Sequence, residues 1–345
     1  MKCLIIAAGR GSRLSSKGNS KPLVPLLGLP LIERTILTAR KGGINDFFVV
    51  TGYEGEKVRR YLDRLGQRTN TNITHVINEE WEKDNGISVL KARDLIKEPF
   101  ILLMADHLFD YSILEGLKKE QISEDEIILA VDCNIDSNIL VDVDDVTKVL
   151  VEDNKIIAIG KNISNYNAYD TGIFLCSPAI FHAIEDSFSS IGDSTLSGGI
   201  RILSDNGNAK TFDVQDKYWI DVDDEKAFSK AENLLIGNLK KASDGPVSRY
   251  LNRPLSIPLT RLLLNTKIAP NHISIFAFIL GVLGTGFFFL GGYVNLIIGG
   301  ILAQIASVVD GCDGEIARLK FKASEFGGWF DAVLDRYGDA FLLFG

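Results

Sequence analysis

Between Ala269 and Val309 the chain runs 41 residues without a single Asp, Glu, Lys or Arg. A helix crossing a bilayer needs about 20 consecutive apolar residues, so this stretch has room for two spans. Gly291-Gly292-Tyr293-Val294-Asn295, past its middle, supplies the turn between them. A membrane hairpin is the expectation, because helices of a soluble core seldom run this long uncharged. Lys240, Lys241, Arg249, Arg253, Arg261 and Lys267 crowd the approach to the first span, against Asp244 alone. By the positive-inside bias that flank is cytoplasmic. Arg318, Lys320 and Lys322 beyond the second span then fall on the same side, as a hairpin requires.

Residues 1–245 mix charge with apolar character as a soluble domain does. A formal net charge of −8 speaks against nucleic acid as a partner. Cys3, Cys133, Cys176 and Cys312 are scattered, with no CxxC pair, and indicate neither a disulfide framework nor a zinc site. The apolar start Leu4–Ala8 is too short for a signal peptide and reads as a first strand. Phe47–Thr51, Phe100–Met104, Ile127–Val131 and Thr171–Cys176 read as further strands. Leu31–Arg40, ending at Gly42-Gly43, and Glu56–Leu65, ending at Gly66, read as helices. This alternation predicts a mostly parallel sheet covered on both faces, with ligands at the carboxyl ends of its strands.

Asp224 to about Lys241 reads as a linking helix broken by Asp244-Gly245-Pro246. The organisation expected is a cytosolic domain over 1–232, a linker helix over 233–245 and a membrane domain over 246–345. Pro246–Leu264 interleaves arginines with leucines and Tyr250, the composition of a helix lying in the membrane interface.

The second span ends in Asp310-Gly-Cys-Asp313-Gly314-Glu-Ile-Ala317-Arg318, with Gly327, Asp331 and Asp335 following. On helices, Asp310 and Asp313 share a face, as do Asp331 and Asp335. Four carboxylates at membrane depth are costly unless they hold cations, and hard oxygen donors suit Mg²⁺, Mn²⁺ or Ca²⁺. Gly314, Ala317 and Gly327 are small enough for a nucleotide or a neighbouring helix to come close. The pattern DxxDGxxARx₈GxxxDxxxD resembles the signature of the CDP-alcohol phosphatidyltransferase family at every fixed position. Ala269-Pro270-Asn271-His272-Ile273-Ser274 is similar to that family's entry to its first span. The resemblance implies transfer of a phospho-alcohol from a CDP-alcohol to an acceptor hydroxyl, with release of CMP. It implies Asp310, Asp313 and Asp331 as metal ligands and Asp335 as ligand or general base. Asp313, Gly314, Ala317, Arg318 and Gly327 would line the CDP-alcohol site. The family has six spans, and this sequence stops at Gly345 within the third, so the all-α membrane domain is expected to be incomplete at its C-terminus.

After the first strand, Gly9-Arg10-Gly11-Ser12-Arg13-Leu14 is neither a dinucleotide fingerprint nor a Walker A loop. It is a loop whose backbone N–H groups can cradle phosphates, with Arg10, Arg13 and Lys21 to bind charge. The run AAGxGxRL…KPLxPLxGxPLI looks like the nucleoside-diphosphate-sugar pyrophosphorylase superfamily. With it go Asn85-Gly-Ile-Ser88, Asp106, Gly160-Lys161, Asp170-Thr171-Gly172 and Trp219-Ile-Asp221-Val-Asp223. The resemblance implies a Rossmann-like α/β nucleotidyltransferase domain in which a phosphate monoester attacks a nucleoside triphosphate and pyrophosphate leaves. Asp106 and Asp221 would hold Mg²⁺ or Mn²⁺, with Asp223 the weaker alternative to Asp221. Arg13 and Lys21 would neutralise the triphosphate, and Lys161 would meet the incoming phosphate. Gly9, Gly11, Asn85 and Ser88 would help hold the nucleotide.

A membrane half that consumes a CDP-alcohol is most economically joined to a soluble half that makes one from CTP. Over its whole length the chain resembles the bifunctional family joining an inositol-1-phosphate cytidylyltransferase to a membrane domain that condenses CDP-inositol with inositol-1-phosphate. Such a protein would be a multi-pass membrane enzyme with both active sites on the cytoplasmic side, and a homodimer through the membrane domain is compatible with it. Two other readings stay open: a different alcohol phosphate with a lipid acceptor, and a membrane-tethered nucleotide sensor.

Overall fold

The computed structural model describes residues 1–135, 138–239, 245–266 and 268–344. The flanking residues Lys240, Lys241, Asp244 and Lys267 lie outside these, as does the end of the expected linker helix. Two separate units make up the chain, Met1–Ala231 and Glu232–Gly345.

The first unit is built on a nine-stranded mixed sheet. Strands β1 (Lys2–Ala7), β4 (Asp46–Thr51), β5 (Asn72–Ile77) and β6 (Phe100–Met104) form one parallel half in the order β5-β4-β1-β6. Two short strands, β2 (Pro25–Leu26) and β3 (Leu29–Pro30), make a hairpin outside it. Across from β6 comes β11 (Ala168–Cys176), which runs antiparallel and also pairs with β8 (Ile127–Asp132). β12 (Ala209–Asp213), β10 (Lys155–Gly160) and β9 (Lys148–Glu152) complete the sheet. A mostly parallel sheet was expected; β11, antiparallel to β6 and β8, and β10, antiparallel to β12 and β9, make it mixed. The strands β1, β4, β6 and β8 are buried almost without interruption, which explains their continuous apolar runs.

Helices α1 (Leu31–Lys41), α2 (Gly55–Thr69), α3 (Asn85–Leu90), α4 (Ser112–Leu117), α5 (Ala179–Ile191) and α6 (Leu196–Asp205) cover the faces. α1 closes at Gly42, with Gly43 at φ 82° in the turn. Gly66 does not end α2, which continues to Thr69 and stops at Asn70 with φ 50°. Gly66 serves packing instead: a Cβ there would sit 3.0 Å from the Thr71 carbonyl. α7 (Glu225–Gly237) carries the chain out of this unit.

In the second unit a turn of π-helix, Ser248–Asn252, runs into α8 (Arg253–Leu264). α9 (Pro270–Leu290) and α10 (Tyr293–Leu319) are each long and apolar enough to cross a membrane, with mean hydropathy 2.3 and 1.6. Gly291 and Gly292, at φ 63° and 82°, turn between them. The two helices touch through glycines: a Cβ on Gly299 would lie 2.9 Å from the Gly284 carbonyl, the close approach that small residues permit between spans. α11 (Glu325–Phe344) packs on α9. The two faces of α8, expected to lie in the membrane interface, differ. Its polar residues Arg253, Ser256 and Thr260 are buried, and Leu255 and Leu262 point outward. An outward apolar face is what a helix resting against lipid requires.

Candidate active sites

In the first unit β6 ends at Met104, and Asp106 follows at the carboxyl edge of the sheet. The chain then forms β7 (His107–Phe109), which pairs antiparallel with β13 (Trp219–Asp221). That register sets Asp221 opposite His107. Asp106, His107 and Asp221 thereby offer ligand atoms within 4.8 Å of one another. His107 was not anticipated from sequence; its adjacency to Asp106 was the one available signal. Its Nδ1 lies 2.9 Å from Asp106 Oδ1 and 3.7 Å from Asp221 Oδ1. Its Nε2 occupies the place a Cβ of Gly172 would take, 2.5 Å away, and Gly172 sits at φ 72°.

Lys21, 8% exposed, reaches into this acidic group and contacts Asp106 and Asp223, with Asp221 at 4.0 Å. Gly11 makes the path possible. It is left-handed at φ 62°, and a Cβ there would collide with the Lys21 side chain at 2.3 Å. Gly9 is exposed, with open space where a Cβ would go. Burial disfavours the Lys21 ammonium, but Asp106, Asp221 and Asp223 outweigh it and hold its pKa above the usual lysine value. Burial likewise opposes the Asp106 carboxylate, yet Lys21 and His107 keep it far below the usual range. Burial pushes Asp221 up to about 7, with Asp106 and Asp223 adding repulsion. Asp221 Oδ1 is buried and makes no hydrogen bond among the described residues. An unpaired carboxylate oxygen beside a second carboxylate and a captured ammonium is a setting that fits a hard divalent cation. Asp223 is instead taken by cations, accepting from Lys21 and, at 2.8 Å, from Arg13.

Arg13 and Lys161 meet on one residue absent from the sequence reading. Asp145, in the segment between β8 and β9, bonds to both. Hydrogen bonds from Lys161 and Arg13 hold its pKa down at about 2. These three side chains line a cleft of about 250 Å³, together with Asn85, Asp170 and Trp219. Asn85 Oδ1 accepts from the Leu196 N–H at 2.9 Å, which fixes its orientation. Ser88 does not line the cleft: it is 4% exposed and accepts from Asn78 Nδ2 at 2.9 Å.

In the helical unit Asp310, Asp313 and Asp331 offer oxygens within 4.8 Å of one another. Asp310 and Asp313 lie on the last turns of α10, and Asp331 comes from α11. Three carboxylate oxygens are a hard donor set that fits Mg²⁺ or Mn²⁺. Gly314 and Arg318 line the same cleft of about 250 Å³, facing Ser248, Asn252 and Arg253. Ala317, Gly327 and Asp335 are not among its lining residues. Gly327 faces the start of α9, where a Cβ would stand 3.7 Å from Asn271 Oδ1. Asp335 is exposed and stands outside the group of three.

One buried group here had no sequence prediction attached. Glu315, 0% exposed, accepts from Arg253 at 2.6 Å, Ser256 at 2.7 Å and Thr260 at 2.6 Å. The inward polar stripe of α8 is thus explained by one carboxylate on α10. Asn252, which donates to Ser307 at 2.9 Å and accepts from Gln304 at 2.8 Å, fastens the preceding turn.

Comparison with known proteins agrees with both halves. The model of the MobA-like NTP transferase domain matches residues 3–141, and that of the CDP-alcohol phosphatidyltransferases matches residues 267–345. A bifunctional IPC transferase and DIPP synthase from Rubrobacter xylanophilus is 34% identical over 99% of this chain and 76% of its own length. The chain belongs to the bifunctional IPC transferase and DIPP synthase family. The relative bearing that name in Aquifex aeolicus is 33% identical over 98% of this chain and 75% of its own. Among solved structures, the inositol-1-phosphate CTP transferase from T. maritima superposes with a TM-score of 0.60 at 28% identity, covering 68% of this chain and 94% of that one. For an IPC transferase and DIPP synthase, two separate acidic centres are the expected equipment, and each unit carries one.

Proposed function

We propose that the soluble unit makes CDP-inositol from CTP and inositol-1-phosphate. The helical unit then transfers phospho-inositol from CDP-inositol to a second inositol-1-phosphate, releasing CMP. The alignment of 99% of the chain with a bifunctional IPC transferase and DIPP synthase carries this reading.

In the first step a phosphate oxygen of inositol-1-phosphate attacks the α-phosphorus of CTP, and the bond to the β-phosphate breaks to release pyrophosphate. Arg13 and Lys21 neutralise the triphosphate as charge builds on the leaving group. Lys161 receives the phosphate of the incoming alcohol, and Asp145 gives up both Arg13 and Lys161 as the substrates enter. Gly9, Gly11 and Asn85 border the nucleotide. In the second step the acceptor hydroxyl attacks the inositol-bearing phosphorus of CDP-inositol, and the bond to the CMP oxygen breaks. Asp335 takes the hydroxyl proton. Gly314 and Arg318 hold the CDP moiety. Asp106 and Asp221 at one centre, and Asp310, Asp313 and Asp331 at the other, would hold Mg²⁺ or Mn²⁺, which would supply electrostatic stabilisation of the reacting phosphoryl oxygens. The helical unit sits in the membrane with both active sites on the cytoplasmic side, and copies pair through it.

Incubating the full-length protein with CTP and a panel of alcohol phosphates, then weighing the products, tests this. Inositol-1-phosphate should give CDP-inositol and then a two-inositol product, and CTP should outcompete UTP, GTP and dTTP. Preference for another alcohol phosphate or for UTP would overturn the assignment. Asp335→Asn should slow condensation by roughly 10²–10⁴-fold and leave pyrophosphate release untouched. Near-normal turnover in that variant would exclude the base role.

A further inference from the structure

We infer that Ser274, in the first turn of α9, is a positioning residue that orients the Asp313 carboxylate for its cation; the inference rests on the reading of Asp313 as a metal ligand. Ser274 is 3% exposed and Asp313 8% exposed. A serine within a helix ordinarily returns its hydroxyl to the carbonyl four residues back. That carbonyl, of Pro270, lies 3.4 Å away, whereas Asp313 Oδ2 is much closer and takes the hydrogen bond. The hydroxyl is therefore committed across the helix pair.

The carboxylate is thereby oriented from across the helix pair, and its oxygens keep lone pairs for a cation shared with Asp310 and Asp331. Donors of this kind hold a ligand in the geometry that binding needs, and removing one typically costs 10–100-fold in metal affinity. The contact also ties together two stretches far apart in sequence: the Pro270–Ser274 entry of α9 and the aspartate run ending α10.

Mn²⁺ binding to detergent-solubilised full-length protein, read from the paramagnetic resonance of free Mn²⁺, tests the inference. The background carries Asp106→Asn and Asp221→Asn, so that the membrane centre is what titrates. Ser274→Ala should bind Mn²⁺ about tenfold more weakly, at the low end of the range for such partners. Ser274→Thr, which keeps the hydroxyl, should bind as the unsubstituted serine does. Ser274→Cys removes the strong donor at nearly constant volume and decides the matter if the alanine variant does not fold. Undiminished Mn²⁺ affinity in Ser274→Ala or Ser274→Cys would overturn the inference. Asp313→Asn measured alongside separates the two layers: if it too binds Mn²⁺ normally, the reading of Asp313 as a ligand fails instead.

Discussion

Asp145 shows how one carboxylate keeps a phosphate site in order before its substrates arrive. Arg13 and Lys161 are long, flexible cations, and without a partner each would sample many rotamers. Asp145 holds both, at the cost of competing with the phosphate that displaces it. Exposed ion pairs are worth about 0.2–1 kcal/mol, so removing the competitor can tighten phosphate binding by no more than about fivefold. Asp145→Asn should accordingly lower the KM for inositol-1-phosphate by up to that factor, as steady-state kinetics of pyrophosphate release would record; a large rise in KM would make Asp145 a substrate ligand. Asp170 titrates in the opposite sense. Burial raises its pKa to about 6, so its neutral form is the one the fold prefers. Its penalty is absent below the ordinary carboxyl value and grows as pH rises through about 6. Asp170→Asn keeps the oxygen that accepts from the Gly172 N–H at 2.7 Å. The substitution should raise the thermal midpoint of the first unit at pH 8 and leave it nearly unchanged at pH 4.

At the scale of elements, α8 is fastened to α10 by a buried charged group as well as by apolar burial at Leu264. Leu255 and Leu262 face outward, and the inward face converges on Glu315. Removing one member of a buried ion pair strands the other and costs roughly 3–5 kcal/mol, whereas replacing both with apolar residues is far milder. Glu315→Leu should destabilise the helical unit strongly in detergent, and adding Arg253→Met should recover much of the loss. Unfolding followed by protease accessibility would measure both, and a double variant no better than the single one would remove the pair from this role. Because Arg253 and Asn252 line the cleft of the second centre, loosening α8 should also weaken CDP-inositol binding.

Across the whole molecule, the two chemistries occupy two units, each with its own acidic centre. Asp106→Asn should abolish CTP-dependent pyrophosphate release yet still condense supplied CDP-inositol. Asp310→Asn should do the reverse. Mixing the two variants should then restore the full conversion from CTP, because CDP-inositol made by one chain can diffuse to another. Two active half-reactions with no restored conversion would mean that the intermediate passes only within one chain.

What the sequence determined by itself was whatever depends on neighbours along the chain. The uncharged run Ala269–Val309 specifies two long apolar helices because span length is a local property. The spacing of Asp310 and Asp313 specifies a shared helical face, and the continuous apolar strands specify a buried sheet. Tertiary structure decided which distant residues share a point. The pairing of β7 with β13 brings Asp221 to Asp106 and His107, and no spacing rule reaches across more than a hundred residues. Asp145 meets Arg13 and Lys161 only because the segment before β9 folds back over the cleft. Glu315 meets Arg253 only because α8 turns that arginine inward, and Asp335, one turn from Asp331, is exposed and not one of the three grouped carboxylates. Hydrogen bonds and ion pairs act over about 3 Å, whatever the separation in sequence, so these choices exist only once the chain has folded.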